Sequence, residues 1–355
     1  MKTLYILGAG ASRNYDQGVS PVPDLKVPLN YDFFENAKKI IDYYNLAHML
    51  GPIGGLDHFI RNINRLYGYG DSEDDTTSFL DPRLSLEEVM VHFSLEHDIL
   101  GHNNRYSTEN IRNKTLNELL AYTLAESLSG GICQKHNKLA EMIDSTDFVW
   151  NFNYDILMDL ALLLQGKFSD AGYNMHFDYV YDNGGWDRPS HAPSEIQMLK
   201  LHGSLNWLKC DNCNSLLLLR NMKNVPALWT GIKSLNISCP NCDAGKYNGL
   251  NRYIIPPSVK IFSDVEIKYL WKLAYRIRDI DRIISIGYSF SENDPQVKML
   301  LREIVRSKSL PADLPIMVVT HTNDSYKRIK KRLKVIFPNA KYNYNSATDF
   351  FTQPS

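Results

Sequence analysis

Two Cys-x-x-Cys pairs are the most chemically specific feature of this 355-residue chain. The pairs are Cys210/Cys213 and Cys239/Cys242. Each pair fits a tight turn, and four thiolates can close a tetrahedral zinc site that has no open position. The pattern therefore predicts a structural zinc site rather than a catalytic one. The alternative is a set of four thiols that bind no metal.

Three polar residues, Asn153, Asp155 and His202, follow short apolar segments. The segments 147–150 and 198–201 are predicted to be buried strands, and open α/β sheets bind ligands at the carboxyl ends of such strands. A histidine in that position can act as a general base, although a buried, hydrogen-bonded histidine is the alternative. Asn153 and Asp155 are either ligand contacts or capping residues of the helix predicted to follow them.

A glycine turn stands near the start of the chain. The apolar run Leu4–Leu7 predicts a strand, and Gly8 and Gly10 follow it directly. Glycines between a strand and a helix let backbone N–H groups approach a phosphate. The third glycine of the dinucleotide-binding pattern is absent because Arg13 occupies that position. A tight turn without a ligand is therefore the alternative.

Composition restricts the class of protein. Hydrophobic residues make up 44% and charged residues 22% of the chain, with a formal net charge of −1. These values are ordinary for a globular protein and give no overall electrostatic bias towards nucleic acid. No apolar run is long enough for a membrane span and no signal-peptide pattern is present, so we expect a cytoplasmic protein without membrane or direct nucleic-acid partners.

The order of the predicted elements indicates an α/β fold with a Rossmann-like parallel sheet, a helical insertion and a small zinc-ribbon module. Apolar residues recur at helical spacing from about residue 31 to about residue 141. Within this region, Ser85 with Glu88 predicts a capping box at the start of a helix. The predicted boundaries are 1–30, 145–207 and 253–355 for the Rossmann-like domain, 31–144 for the helical insertion, and 208–252 for the zinc-ribbon module.

Two other segments have two interpretations each. Asp24 lies in a proline-rich loop beside the glycine turn, where it is either a ligand contact or a solvated carboxylate. The stretch Lys327–Lys334 is rich in lysine and arginine. Such a run is either a solvated helix face or a docking surface.

Taken in order along the chain, these motifs resemble those of the sirtuin family. The resemblance rests on Gly8-Ala9-Gly10-Ala11-Ser12, Pro23-Asp24-Leu25-Lys26, Asn151-Phe152-Asn153-Tyr154-Asp155, Leu201-His202-Gly203, the cysteine pairs, Gly287-Tyr288-Ser289 and Asn323. It covers almost the whole chain outside the helical insertion. It implies an NAD-binding Rossmann-like domain that cleaves the bond between nicotinamide and ribose.

The resemblance also implies roles for individual residues. His202 would be the general base, Asn153 would hold the ribose and the attacking water, and Asp155 would orient the ribose or the loop that carries Asn153. The implied NAD-binding residues are Gly8, Ala9, Gly10, Ser12, Asp24, Asn153, Gly287, Ser289 and Asn323.

Several departures from the sirtuin pattern favour cleavage of NAD over deacylation of a lysine side chain. Phe152, Leu25 and Lys26 replace the glutamine, phenylalanine and arginine of the family. The segment 258–263 lacks the Gly-Glu of the Val-x-Phe-Gly-Glu segment, which pairs with the substrate peptide as a strand in sirtuin deacylases. This pattern is similar to that of divergent bacterial sirtuin-like NAD hydrolases of antiviral (antiphage) defence. The resemblance to that branch implies a homo-oligomer, with a partner ATPase or sensor protein as the source of the trigger.

We therefore expect an NAD hydrolase (NADase) that releases nicotinamide and ADP-ribose and depletes cellular NAD. Two alternatives stay open at this point. One is an NAD-dependent protein-lysine deacylase, which needs a peptide groove beside His202. The other is a module that binds NAD or ADP-ribose without turnover.

Overall fold

The computed structural model describes residues 1–13, 15, 17–44, 85–100, 108–182, 184–190, 192–220, 238–242, 250–255, 264–292, 294–306 and 313–352, with the backbone alone at 94–100 and 108–114. The segment 56–63, which has helical periodicity and belongs to the predicted helical insertion, lies outside the described residues. The segment 258–263 also lies outside them, so what the sequence predicts for both segments stays a prediction. None of the described helices is both long and apolar enough to cross a bilayer.

The strands of the main sheet are mostly separated by helices along the chain, whereas β3 to β8 follow one another without an α-helix among the described residues. The strands are β1 (Thr3–Leu7), β2 (Phe148–Asn151), β3 (Tyr179–Asp182), β4 (Gly185–Asp187), β5 (Met198–Lys200), β6 (Gly203–Cys210), β7 (Leu216–Leu219), β8 (Leu250–Ile254), β9 (Arg282–Ile286), β10 (Pro315–Thr320) and β11 (Lys341–Ser346). The helices are α1 (Ala9–Ser12), α2 (Phe33–Tyr44), α3 (Leu86–Leu100), α4 (Thr108–Ser127), α5 (Gln134–Met142), α6 (Leu157–Leu164), α7 (Val265–Tyr275), α8 (Pro295–Val305), α9 (Asn323–Lys334) and α10 (Ala347–Thr352).

The main sheet has six strands in the order β11-β10-β9-β1-β2-β5, and all of its pairings are parallel. Counted along the chain within this sheet, the strand order is that of the doubly wound dinucleotide-binding fold. The predicted α/β class is therefore confirmed, and the topology is consistent with a Rossmann-like arrangement. The strand order reverses between β1 and β9, which makes this pair the switch point of the sheet.

The central strands of this sheet are covered on both faces, which explains why they appear in the sequence as apolar runs. All residues of β1 are buried, and Tyr5 pairs in register with Val149 on one side and Ile284 on the other. Trp150 and Trp271 are among the largest fully buried side chains and belong to the same core cluster. This core fixes the carboxyl ends of the strands relative to one another.

A second sheet has five strands in the order β4-β3-β7-β6-β8. It takes β3 and β4 from the range predicted for the Rossmann-like domain, and it is mixed, because β3 pairs parallel to β7 whereas the other pairs are antiparallel. β6 begins at Gly203, immediately after His202, whereas β5 of the main sheet ends at Lys200. His202 thus lies at the connection between the two sheets. The predicted domain boundaries themselves stay predictions.

Helices α2, α3 and α4 come from the predicted helical insertion and pack on the second sheet. Phe34, Val89 and Leu119 share one core cluster with Leu205 and Leu217. The predicted capping box begins α3, since Glu88 N–H donates to Ser85 Oγ at 3.2 Å and Ser85 N–H donates to Glu88 Oε2 at 3.3 Å. These contacts hold the first turn of α3 beside the carboxyl edge of the main sheet.

At the switch point, the backbone of the glycine turn after β1 contacts the backbone at the end of β9 and in the loop after it. Gly10 N–H donates to Gly287 O at 3.0 Å, and Gly8 N–H donates to Ile286 O at 3.0 Å. A Cβ atom on residue 287 would lie 2.1 Å from Ala11 N, and Gly287 has a φ of +64°. Glycine is required there both for the left-handed conformation and for the close approach.

We predict that Gly287→Ala destabilises the protein by about 3 kcal/mol or more, because it adds a backbone clash to the cost of a left-handed residue. Gly166→Ala is the matched control, since Gly166 has a similar φ of +69° and a Cβ atom there would meet nothing within 4 Å. The control should lose about 1 kcal/mol. Urea unfolding followed by circular dichroism measures both values, and equal losses would contradict the account.

Candidate functional site

A cavity of about 1000 Å³ opens at the carboxyl edge of the main sheet. It gathers most of the predicted site residues in one place, although they come from separate parts of the chain. Those found on its wall are Gly8, Ala9, Gly10, Ser12, Asn153, Asp155, His202, Gly287 and Ser289. Asp24 and Asn323 are not among the described residues of the wall.

Asp24 and Asn323 both have exposed side chains. Asp24 is exposed in the loop before α2, with a φ of 52°. Asn323 is exposed in the first turn of α9, where Thr322 caps the helix by accepting a hydrogen bond from Ser325 N–H. The exposure of Asp24 is consistent with the solvated alternative, whereas Asn323 directly follows Thr322, which is on the described wall of the cavity.

Asn153 is positioned by a hydrogen-bond network between the ends of β1 and β2. Asn153 Nδ2 donates to Ser12 Oγ at 3.2 Å, and Ser12 Oγ donates to Asp155 Oδ2 at 2.7 Å. The other Asp155 oxygen accepts a hydrogen bond from Leu157 N–H in the first turn of α6. Asp155 therefore caps the helix and holds Ser12, whereas Asn153 does not cap.

This network leaves one polar atom of Asn153 unused. Asn153 Oδ1 is buried and has no hydrogen-bond partner among the described residues. Buried carbonyl oxygens are rarely left unpaired, because the lost hydration costs free energy. Asn153 Oδ1 is thus available to accept a hydrogen bond from a ligand, whereas the Ser12 hydroxyl already donates a hydrogen bond to Asp155.

His202 is buried in an aromatic environment. Its ring centroid lies 5.1 Å from that of Phe152 and 6.4 Å from those of Tyr154 and Trp271. Its Nε2 has no hydrogen-bond partner within the part of the chain that the structure describes. Burial lowers the pKa of His202, which keeps the imidazole neutral and able to accept a proton at neutral pH.

Asp294 is the nearest charged partner of His202 among the described residues, and the sequence motifs did not identify it. Its Oδ2 lies 3.6 Å from His202 Nε2, and its effect opposes burial by raising the pKa of His202. Tyr288 Oη donates a hydrogen bond to the same carboxylate. The Tyr288 ring stacks on Phe152 with centroids 4.5 Å apart. Asp294 can therefore stabilise a protonated His202 without itself being exposed to solvent.

The glycine turn makes backbone contacts within the protein. The N–H group of Gly8 donates to Ile286 O in β9, and that of Gly10 donates to Gly287 O in the loop after β9. These two N–H groups are therefore not free to bind a phosphate. The glycines instead allow the two segments to touch and to form the floor of the cavity. The predicted contact of this turn with a pyrophosphate is supported only by the position of the turn on the cavity wall.

Cationic side chains lie at the other end of the cavity wall. Arg328 and Arg332 come from α9, which contains the basic run that the sequence assigned to a solvated face or a docking surface. Arg332 Nη1 donates to Ser289 O at 2.8 Å, which attaches α9 to the loop after β9. Their spacing of four residues places them on one helix face, and that spacing is the signal that could have identified them.

Arg13 shows why a basic side chain on the wall is not always available. Its Nη2 lies 2.7 Å from Asp32 Oδ2, and its Nη1 donates to Val27 O at 2.6 Å. The residue that replaces the third glycine is thus used to hold the loop before α2. The wall also carries Lys26, Arg328 and Arg332, and such positive charges favour an anionic ligand group.

A four-cysteine cluster lies away from the cavity, between the turn after β6 and the segment before β8. Its four sulfurs lie within 4.8 Å of one another. The Sγ atoms of Cys210 and Cys242 are 3.6 Å apart, as are those of Cys213 and Cys239. Thiolates around one ion with metal–sulfur bonds of about 2.3 Å would be about 3.8 Å apart. The cluster could therefore hold a metal ion.

Comparisons with known proteins assign no family, since no protein-family model and no curated protein matches this chain.

The His202–Asp294 pair predicts a pKa change that can be measured directly. Replacing the carboxylate in Asp294→Asn removes the effect that raises the pKa of His202, so that pKa should fall further below its ordinary value. A proton NMR titration of the imidazole measures it, and His202→Gln assigns the resonance. An unchanged or higher pKa in Asp294→Asn would contradict the pairing.

Proposed function

We propose that this chain is an NAD hydrolase that uses water to cleave the bond between nicotinamide and ribose. The observation that carries the proposal is the presence of His202 and an unpaired Asn153 Oδ1 in one cavity at the carboxyl edge of a sheet with dinucleotide-binding strand order. The sirtuin-like motifs that these residues belong to supply the identity of the substrate.

The reaction balances with the groups available. The electron pair of the breaking C–N bond stays on the nicotinamide nitrogen, which becomes neutral, while positive charge develops on the ribose. Water adds to ribose C1′, and its proton passes to His202. The products are nicotinamide and ADP-ribose. The lowered pKa of His202 favours the neutral base before the reaction.

Asp294 supports this base by electrostatics. Once His202 carries the proton, a buried carboxylate at 3.6 Å stabilises the imidazolium. The unpaired Asn153 Oδ1 would accept a hydrogen bond from a ribose hydroxyl or from the attacking water. The cations of α9 would neutralise the diphosphate, which is the anionic part of this substrate.

The biological role is proposed from the resemblance to bacterial NAD hydrolases of antiviral defence. An enzyme that consumes NAD without a second substrate would deplete the cell of NAD. Such an activity must be controlled, which is why we propose that the chain works in an oligomer with a partner ATPase or sensor protein.

The metal proposed for the four-cysteine cluster is zinc. Thiolates are soft ligands that suit Zn²⁺, and four of them leave no position for substrate. The ion would have a structural role, connecting the turn after β6 to the segment before β8. Because β6 begins directly after His202, this connection also supports one side of the cavity.

We predict that the purified chain releases nicotinamide from NAD in the absence of any acyl-peptide and that His202→Ala reduces the rate by about a hundredfold or more. The reason is the loss of the general base. Chromatographic quantification of nicotinamide and ADP-ribose measures the rate. The control is His176→Ala, which changes an exposed histidine that is not among the described residues lining the cavity.

Three outcomes would contradict the proposal. They are no release from the purified wild-type chain, equal release from His202→Ala, and release that depends on an acyl-peptide. Circular dichroism of each variant must show a folded protein for the comparison to count.

For the metal, we predict one zinc ion per purified chain by elemental analysis and its loss in a Cys210→Ser/Cys239→Ser double variant. The unfolding temperature should drop by several degrees, because a structural zinc site contributes folding free energy. Cys133→Ala is the control, since Cys133 lies outside the cluster. Wild-type protein with no metal, or a double variant that retains it, would contradict the zinc site.

A further inference from the structure

Glu87 is a carboxyl group of the cavity wall to which the proposed reaction assigns no role. It lies in the first turn of α3, so it comes from the helical region rather than from a strand end. Its N–H donates to Asn30 Oδ1 at 2.7 Å, and the Ser85–Glu88 capping box fixes the same turn. The backbone that carries this carboxyl is therefore held from two sides.

The carboxyl group itself is only partly satisfied. One interaction is a hydrogen bond with Ser291, which follows β9. The other oxygen, Oε2, is buried and has no hydrogen-bond partner among the described residues. An unpaired buried carboxyl oxygen costs free energy, so its position on a cavity wall indicates a group kept available for a ligand.

The surroundings of Glu87 place its ionisation near neutral pH. Burial raises its pKa to about 7, with smaller contributions from Asp294 and Glu88 in the same direction. The hydrogen bond from Ser291 and the charge of Arg332 oppose this shift. Tyr154 and Tyr288 also face this group, and both remain protonated because their pKa values are raised.

Asp294 differs from Glu87 in its position, since it is not among the described residues that line the cavity. Its Oδ2 is occupied by Tyr288 and lies beside His202, so it acts on the base. The two carboxyl groups thus have different environments, with Glu87 on the cavity wall and Asp294 beside His202, a pattern that separates the roles of paired acids in glycosidic bond cleavage.

We propose that Glu87 is a second catalytic residue, whose carboxylate contacts the ribose of the substrate and stabilises the positive charge that develops as the bond to nicotinamide breaks. This inference rests on the proposed NAD hydrolase function and deepens it. A carboxylate beside an oxocarbenium-like transition state acts by electrostatics alone, so no additional reactant is needed. The alternative is a structural role, in which Glu87 only attaches α3 to Ser291.

The test compares the pH dependence of kcat for nicotinamide release in four proteins. In the wild-type chain, kcat should rise as pH increases through about 7, because the carboxylate is the active form. Glu87→Gln should lower kcat at about pH 8 by tenfold or more, leave KM for NAD within about threefold, and remove that rise. Glu195→Gln, a change to an exposed carboxyl that is not among the described residues lining the cavity, should retain the wild-type kcat at that pH.

Ser291→Ala separates the catalytic role from the structural one. Without its hydrogen bond the carboxylate is less stable, so the pKa of Glu87 rises and the midpoint of the profile should move to higher pH, with activity recovered above it. A loss in Ser291→Ala equal to that in Glu87→Gln at every pH would overturn the inference in favour of the structural role.

The remaining outcomes distinguish this inference from the function on which it rests. A wild-type enzyme that releases nicotinamide while Glu87→Gln keeps the same kcat and profile would overturn the role of Glu87 alone. A wild-type chain that releases none would overturn the proposed function, and the role of Glu87 with it.

Discussion

The contact between the glycine turn after β1 and the loop after β9 is the constraint on which the site depends. Two backbone hydrogen bonds and a left-handed Gly287 bring these segments within van der Waals contact at the point where the strand order reverses. A side chain on Gly8 or Gly287 would separate them. Tyr288 and Ser289 follow this contact directly and line the cavity together with His202 and the cations of α9. The contact therefore also helps to position this part of the cavity wall.

The candidate site combines groups from three structural layers. The strand ends supply Asn153 and His202, the loop before α8 supplies Asp294, and the helical region supplies Glu87. The main-sheet strands and α8 share one core cluster, whereas α3 belongs to a second cluster with the second sheet, so the relative positions of these groups depend largely on how the two clusters pack. The second sheet contributes as well, since β6 begins one residue after His202 and continues to the four-cysteine cluster.

Sequence could predict the strand-end residues because buried parallel strands appear as short apolar runs, and their carboxyl ends converge on one edge. It could not identify Asp294 or Glu87, since neither ends a strand and their meeting with His202 depends on how separate layers pack. The actual use of Gly8 and Gly10 was also hidden, because a close backbone contact and a phosphate cradle require the same residue type. Arg332 appeared only as part of a basic run that was either a solvated helix face or a docking surface, because charge alone does not indicate which helix face is covered.

The central claim is that the cavity at the switch point holds NAD for cleavage, and a crystal structure of His202→Ala soaked with NAD tests it most directly. Without the base, intact NAD should accumulate. The account predicts density along the carboxyl edge of the main sheet, with the ribose next to nicotinamide within hydrogen-bond distance of Asn153 Oδ1 and the diphosphate beside Arg328 and Arg332. NAD bound outside this cavity, or no binding at saturating NAD, would contradict it.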